Sequence, residues 1–134
     1  MSKGLIVAIF VGVIFITGVA FSFITKGNDI KKIKSNPKQT VCKVVDHDIP
    51  KKSSDTHYGV WIRYEYEVNG SVYKHLRKYY FPKDDEQYFV GLSFPLIYCA
   101  DDPDVNRILI LKENFDEFDL PQPDSLKQYN GKIF

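Results

Sequence analysis

Residues 60–73 read Val60-Trp61-Ile62-Arg63-Tyr64-Glu65-Tyr66-Glu67-Val68-Asn69-Gly70-Ser71-Val72-Tyr73. Val60, Ile62, Tyr64, Tyr66 and Val68 alternate with Trp61, Arg63, Glu65 and Glu67, the two-residue period of a strand with one buried and one wet face. Asn69-Gly70 supplies the positive φ angles of a tight hairpin turn. A second strand is expected from Ser71 to Phe81. In a two-residue hairpin Val68 faces Ser71, which sets Tyr66 opposite Tyr73 and Glu65 opposite Lys74. An aromatic pair and an opposite-charge pair both favour that register. A bulge at Gly70 would shift it by one.

Outward from this hairpin the sequence supplies further strands. Thr40 to Ile49 carries β-branched bulk at Val41, Val44 and Val45 and reads as the first strand. A polar loop, Pro50 to Gly59, follows it. After the hairpin, the charged connection Pro82 to Tyr88 leads through Phe89-Val90-Gly91 into a strand at Ser93 to Ala100, with Pro95 near its start or on an edge. Asp101 to Asn106 reads as a turn and Arg107 to Leu111 as a short apolar strand. The chain is therefore expected to be mostly β, with one N-terminal transmembrane helix before a small antiparallel sheet or open barrel of about five strands. The expected divisions are a transmembrane anchor at 1–25, a Lys-rich juxtamembrane linker at 26–39, the β domain at 40–111, and an acidic, proline-containing tail at 112–134, extended or weakly helical.

The anchor rests on residues 5–24, which carry no charge. Twenty residues rising about 1.5 Å each match a bilayer core of about 30 Å. The rival reading is a cleaved secretory signal with a small-residue site at Gly18-Val19-Ala20. Against it, the apolar run continues through Phe21, Phe23 and Ile24. Lys26, Lys31, Lys32, Lys34 and Lys38 follow the span and lean the β domain towards the cytoplasm, although a short tail before an anchor is also the pattern of export. The same lysines suit contact with anionic headgroups. Gly4, Ala8 and Gly12 share one helix face and would allow two spans to associate closely.

From residue 27 on, 16 Lys and Arg stand against 17 Asp and Glu, so no basic surface of the kind nucleic acid requires is expected. Candidate chemistry is sparse. His47 lies between Asp46 and Asp48, but strand neighbours point to opposite faces. His57 and His75 complete no zinc-ligand spacing. Asp102-x-Asp104-x-Asn106 with Glu113 echoes a calcium loop, yet Arg107 stands where that loop needs glycine. Neither a Gly-x-Ser-x-Gly elbow nor a Walker loop occurs. No catalytic residue, metal or cofactor is therefore expected. Cys42 and Cys99 would pair if the domain is exported, or remain small buried apolar residues if it is not. Among the aromatics, Tyr58, Trp61, Tyr79 and Tyr80 are the candidates for a binding surface, while many of the others must build the core.

Tyr64-x-Tyr66-x-Val68-Asn69-Gly70-x-x-Tyr73, followed by Val90-Gly91, Ile97-Tyr98, Asp102-Pro103 and Asn106-Arg107, resembles a broad family of small membrane-associated β domains of unknown function. The likeness runs from about Thr40 to Leu111. Its pattern joins a Tyr-x-Tyr-x-Val-Asn-Gly hairpin to a later Tyr-x-x-x-x-Pro turn, here Tyr98 to Pro103. It implies a structural role for Asn69, Gly70, Gly91 and Pro103, and no catalytic residues. The functional expectation is a membrane-tethered, non-enzymatic β module that binds a protein partner or supports an envelope assembly. The alternatives are an immunity protein neutralising a toxin at the membrane and, further off, a small hydrolase or carbohydrate-modifying enzyme.

Overall fold

The computed structural model describes residues 28–48, 51–52, 56–85 and 87–134. Residues 28–35 are helical (α1) and lead into strand β1, Pro37–His47. The two-residue β2, Lys51–Lys52, precedes β3, His57–Val68, and β4, Ser71–Pro82. Then come β5, Ser93–Cys99, β6, Asp102–Ile108, helix α2, Lys112–Asp116, and a 3₁₀ turn at Asp124–Tyr129. The main strands lie in the order β4-β3-β1-β5-β6, every neighbouring pair antiparallel, with β2 extending the ladder beside β3. They make a nearly closed, barrel-like sheet. Four successive antiparallel pairings leave β4 and β6 running in the same direction, and no ladder joins them.

The β3–β4 hairpin has the expected register, with Val68 opposite Ser71, Tyr66 opposite Tyr73 and Glu65 opposite Lys74. Asn69 (φ 52°) and Gly70 (φ 84°) both occupy the left-handed region that a tight hairpin turn needs. The inward phase of β3 buries Val60, Ile62, Tyr64, Tyr66 and Val68 against Cys42 and Val44 of β1 and Phe94, Leu96 and Tyr98 of β5.

The interior has two unlike ends. At one, Phe89 is the hub of an edge-to-face cluster, its ring centroid 4.9 Å from Phe81, 4.9 Å from Phe94 and 5.1 Å from Tyr129. The chain enters this cluster through Tyr88 (φ 44°) and Phe89 (φ 66°), a left-handed pair costly for bulky residues and held by the packing of both rings. Gly91 (φ 85°) completes the turn, donating its N–H to the Val44 carbonyl at 2.8 Å. At the other end Tyr66 stacks on Tyr73, His75 and Tyr98. There the phenols are bonded, Tyr64 Oη to Asn106 Oδ1 at 2.7 Å and Tyr66 Oη to the Pro103 carbonyl.

Several sequence expectations need correction. Residues 28–35, expected as part of a solvated linker, form α1. Ile30 and Ile33 share one helix face, and Ile33 is fully buried in the core. Lys32 of this helix pairs with Asp102 at 2.8 Å. Asp101 to Asn106 is not a turn. The β5–β6 connection is only Ala100-Asp101, so Cys99 faces Asp102 and the last strand starts five residues early. Pro103 consequently sits inside a strand, at a ladder edge where its missing N–H is harmless.

The tail is built into the domain. Phe115, Leu126 and Ile133 are buried, and Gln122 and Asn130 exchange amide hydrogen bonds at 2.8 and 3.0 Å. No Cys42–Cys99 disulfide can form. In the β1–β5 ladder Cys42 faces Phe94 and Cys99 faces Pro37, five positions apart. That is about 17 Å at strand rise, where a disulfide tolerates about 7 Å between Cα atoms. The anchor at 1–25, with Gly4, Ala8 and Gly12, lies outside the described residues, and among those no helix is long and apolar enough to cross a membrane.

Candidate functional site

The outer side of the barrel is unevenly covered. Over β5, Ile97 and Cys99 are buried, with Phe118 and Leu120 of the tail standing across from Ile97. Over β1, β3 and β4 the outward side chains are open. Val41, Val45, Trp61, Val72 and Leu76 are each 40–62 % exposed. The pleat puts them on one face, because Trp61 pairs with Lys78, Arg63 with Leu76, and Glu67 with Val72.

Charges are threaded between these apolar groups. Glu65 lies opposite both Lys43 and Lys74. Arg63 reaches Asp48 at 2.6 Å and Asp46 at 3.4 Å. Asp46 and Asp48 thus share the outer side, while the His47 ring packs on Tyr88 at 4.9 Å. A shallow depression of about 530 Å³ runs between Val45, Arg63, Glu65, Lys74 and Leu76. Exposed tryptophan and arginine amid aliphatic side chains are the composition of protein-binding hot spots.

The polar end of the barrel holds the second candidate. His75 Nε2 lies 3.1 Å from Asp104 Oδ1, and the imidazole stacks between Tyr64 and Tyr66. This His–carboxylate pair resembles half of a nucleophile-activating arrangement, but the His75 ring packs on phenols rather than on a serine or cysteine. Burial pushes the Tyr64 phenol up to about 12 and raises Tyr66 as well. These hydroxyls act as neutral hydrogen-bond donors. Burial likewise pushes the Cys42 thiol from 9.0 to about 12, so it is protonated and inert at neutral pH. Among the described residues, no three His, Cys, Asp or Glu side chains gather to hold a metal ion.

Of the four aromatic residues expected to form a binding surface, the structure brings two to the open face. Trp61 is exposed there, and Tyr80 lies partly exposed with Lys78 Nζ 5.2 Å from its ring centre. Tyr58 points inward and packs at the margin of the core. Tyr79 is 2 % exposed, a core residue that faces Val60 and touches Phe81 and Phe89.

Sequence reading missed Val41, Val45, Val72 and Leu76. A signal existed: Val72 and Leu76 alternate out of phase with Tyr73, Tyr79 and Phe81. Which phase faced the core was fixed only by the ladder. No protein-family model, curated protein or solved structure matches the chain.

Proposed function

We propose that this chain is a membrane-tethered, non-enzymatic β module whose open β1–β3–β4 face binds a protein partner. One observation carries the reading. Five large apolar side chains lie exposed on one face, interleaved with charges, while the tail covers the outer side of β5. Clustered exposed apolar groups of this kind mark interaction sites. Trp61 and Arg63 supply anchors, and Lys43, Glu65 and Lys74 supply the polar surround that sets orientation. The uncharged run at 5–24 supports the tether. The non-enzymatic part is supported by the phenolic surroundings of His75 and by the burial of the Cys42 thiol.

The test is site-specific photo-crosslinking of the full chain in native membranes. A probe at Leu76 should give a discrete adduct that Trp61→Ala abolishes, while a probe at Glu113 on the tail should give none. Equal labelling from both positions, or no adduct from Leu76, would sink the assignment.

A further inference from the structure

The seam between β4 and β6 is closed by different means along its length. At the polar end His75 of β4 meets Asp104 of β6, and behind them Tyr64 of β3 reaches Asn106 of β6. Near the far end the Phe134 backbone pairs with Tyr80, the two N–H···O distances being 2.8 and 3.3 Å. Between these closures a cleft of about 350 Å³ stays open, lined by Leu76, Arg77 and Lys78 of β4, Arg107 of β6, Glu117, Ile30 of α1, and Trp61, so that it shares Leu76 and Trp61 with the margin of the open face.

Its charge is unbalanced. Two guanidinium groups, Arg77 and Arg107, meet one carboxylate, and among the described residues neither belongs to an ion pair, while Lys78 lends its stem and turns its Nζ towards the Tyr80 ring at 5.2 Å. The Arg77 guanidinium lies 5.6 Å from the centre of the Tyr79 ring. Among the described residues Arg107 Nη1 donates only to the Asn106 carbonyl, at 3.4 Å. Guanidinium forks of this kind match phosphate oxygens. Ile30 and Trp61 give the same cleft an apolar wall. Ile30 also lies only six residues beyond the uncharged run that ends at Ile24, at most about 22 Å of extended chain.

We propose that the seam cleft is a phosphate site, with Arg77 and Arg107 as ligands, and that the headgroup of an anionic phospholipid supplies the phosphate. The phosphate chemistry follows from the cleft alone. The lipid as its source rests on the membrane-tether reading. Headgroup binding there would fix α1 and the barrel relative to the bilayer and so set the direction in which the open face is presented.

Trp61 is the chain's single tryptophan and lines the cleft, so its emission reports occupancy. The full chain in neutral-detergent micelles is titrated with short-chain phosphatidylglycerol, with phosphatidylcholine of equal chain length, and with inorganic phosphate against chloride. Phosphatidylglycerol should shift the emission saturably and phosphatidylcholine should not. Arg77→Gln with Arg107→Gln should weaken binding at least tenfold. Glu117→Gln, which removes the opposing carboxylate, should tighten it two- to fivefold, a gain that misfolding cannot imitate. Inorganic phosphate acting alone, with the same dependence on these variants, keeps the phosphate site and overturns the lipid as its source. No saturable response, or indifference to Glu117→Gln, overturns the site, and an equal response to phosphatidylcholine, which carries the same phosphodiester without net charge, overturns the anionic headgroup as its ligand. Alkaline carbonate extraction reports separately on the tether: a chain that washes off membranes yet binds the probe breaks that reading and leaves the cleft intact.

Discussion

The two ends of the barrel interior solve one packing problem with different chemistry. Around Phe89 the rings meet edge to face, and Tyr79 Oη is buried with no hydrogen-bond partner among the described residues. Around Tyr66 the rings stack in parallel, and phenols bond to Asn106 and to the Pro103 carbonyl. The first end gains stability from apolar area and dispersion, which tolerate no missing volume. The second uses hydrogen bonds across a seam that lacks a backbone ladder, so its contribution depends on matched partners. At this end of the seam, where β4 and β6 do not pair, side-chain polarity takes over the closure.

Removing the hub of the apolar end should have the largest effect. Phe89→Ala should lower unfolding free energy by about 3–5 kcal/mol, read from urea denaturation. A loss under about 1 kcal/mol would mean that the cluster is not the cohesive element described.

Alkali should come next and strike both ends. Cys42 and Tyr64 titrate near 12 in the folded chain, against ordinary values of 9.0 and 10.0, and Tyr66 and Tyr79 are also raised. A folded value above the unfolded one leaves stability intact below pH 9 and erodes it as pH climbs towards 12. The loss should be on the order of 3 kcal/mol by pH 11, measured as a falling denaturation midpoint. A midpoint flat from pH 9 to 11 would show these groups to be solvated.

The smallest effect sharpens the contrast most. Tyr64→Phe strips the buried Asn106 of its phenolic donor and should cost about 1–2 kcal/mol. Tyr79→Phe, which breaks no hydrogen bond to the described residues, should change stability by less than about 0.5 kcal/mol. Equal costs for the two substitutions would erase the distinction between the ends.

Much of the architecture was legible in short windows. The alternation of 60–68 and the Asn69-Gly70 turn sufficed for the β3–β4 register, because hairpin pairing depends only on neighbours in sequence. Asp46, His47 and Asp48 were readable for the same reason, since strand geometry alone separates the histidine from its flanking carboxylates. The helical face of Ile30 and Ile33 was obscured by the lysines around it, which resemble a solvated spacer until the barrel offers Ile33 a place to bury.

The candidate sites were much less legible. Trp61 could be singled out as an unusual outward residue. Whether Val72 and Leu76 or Tyr79 and Phe81 faced water depended on what covered β4, which no local pattern records. Arg77, Lys78 and Arg107 looked like ordinary strand charges, thirty residues apart at the extremes. The sequence by itself determined the mostly β character, the β3–β4 hairpin and its register, and the absence of charge from 5–24. Only the tertiary structure decided the Cys42–Cys99 separation, the tail's burial, the open face and the cationic seam. Each of these depends on which distant strands become neighbours, a matter of long-range packing rather than local periodicity.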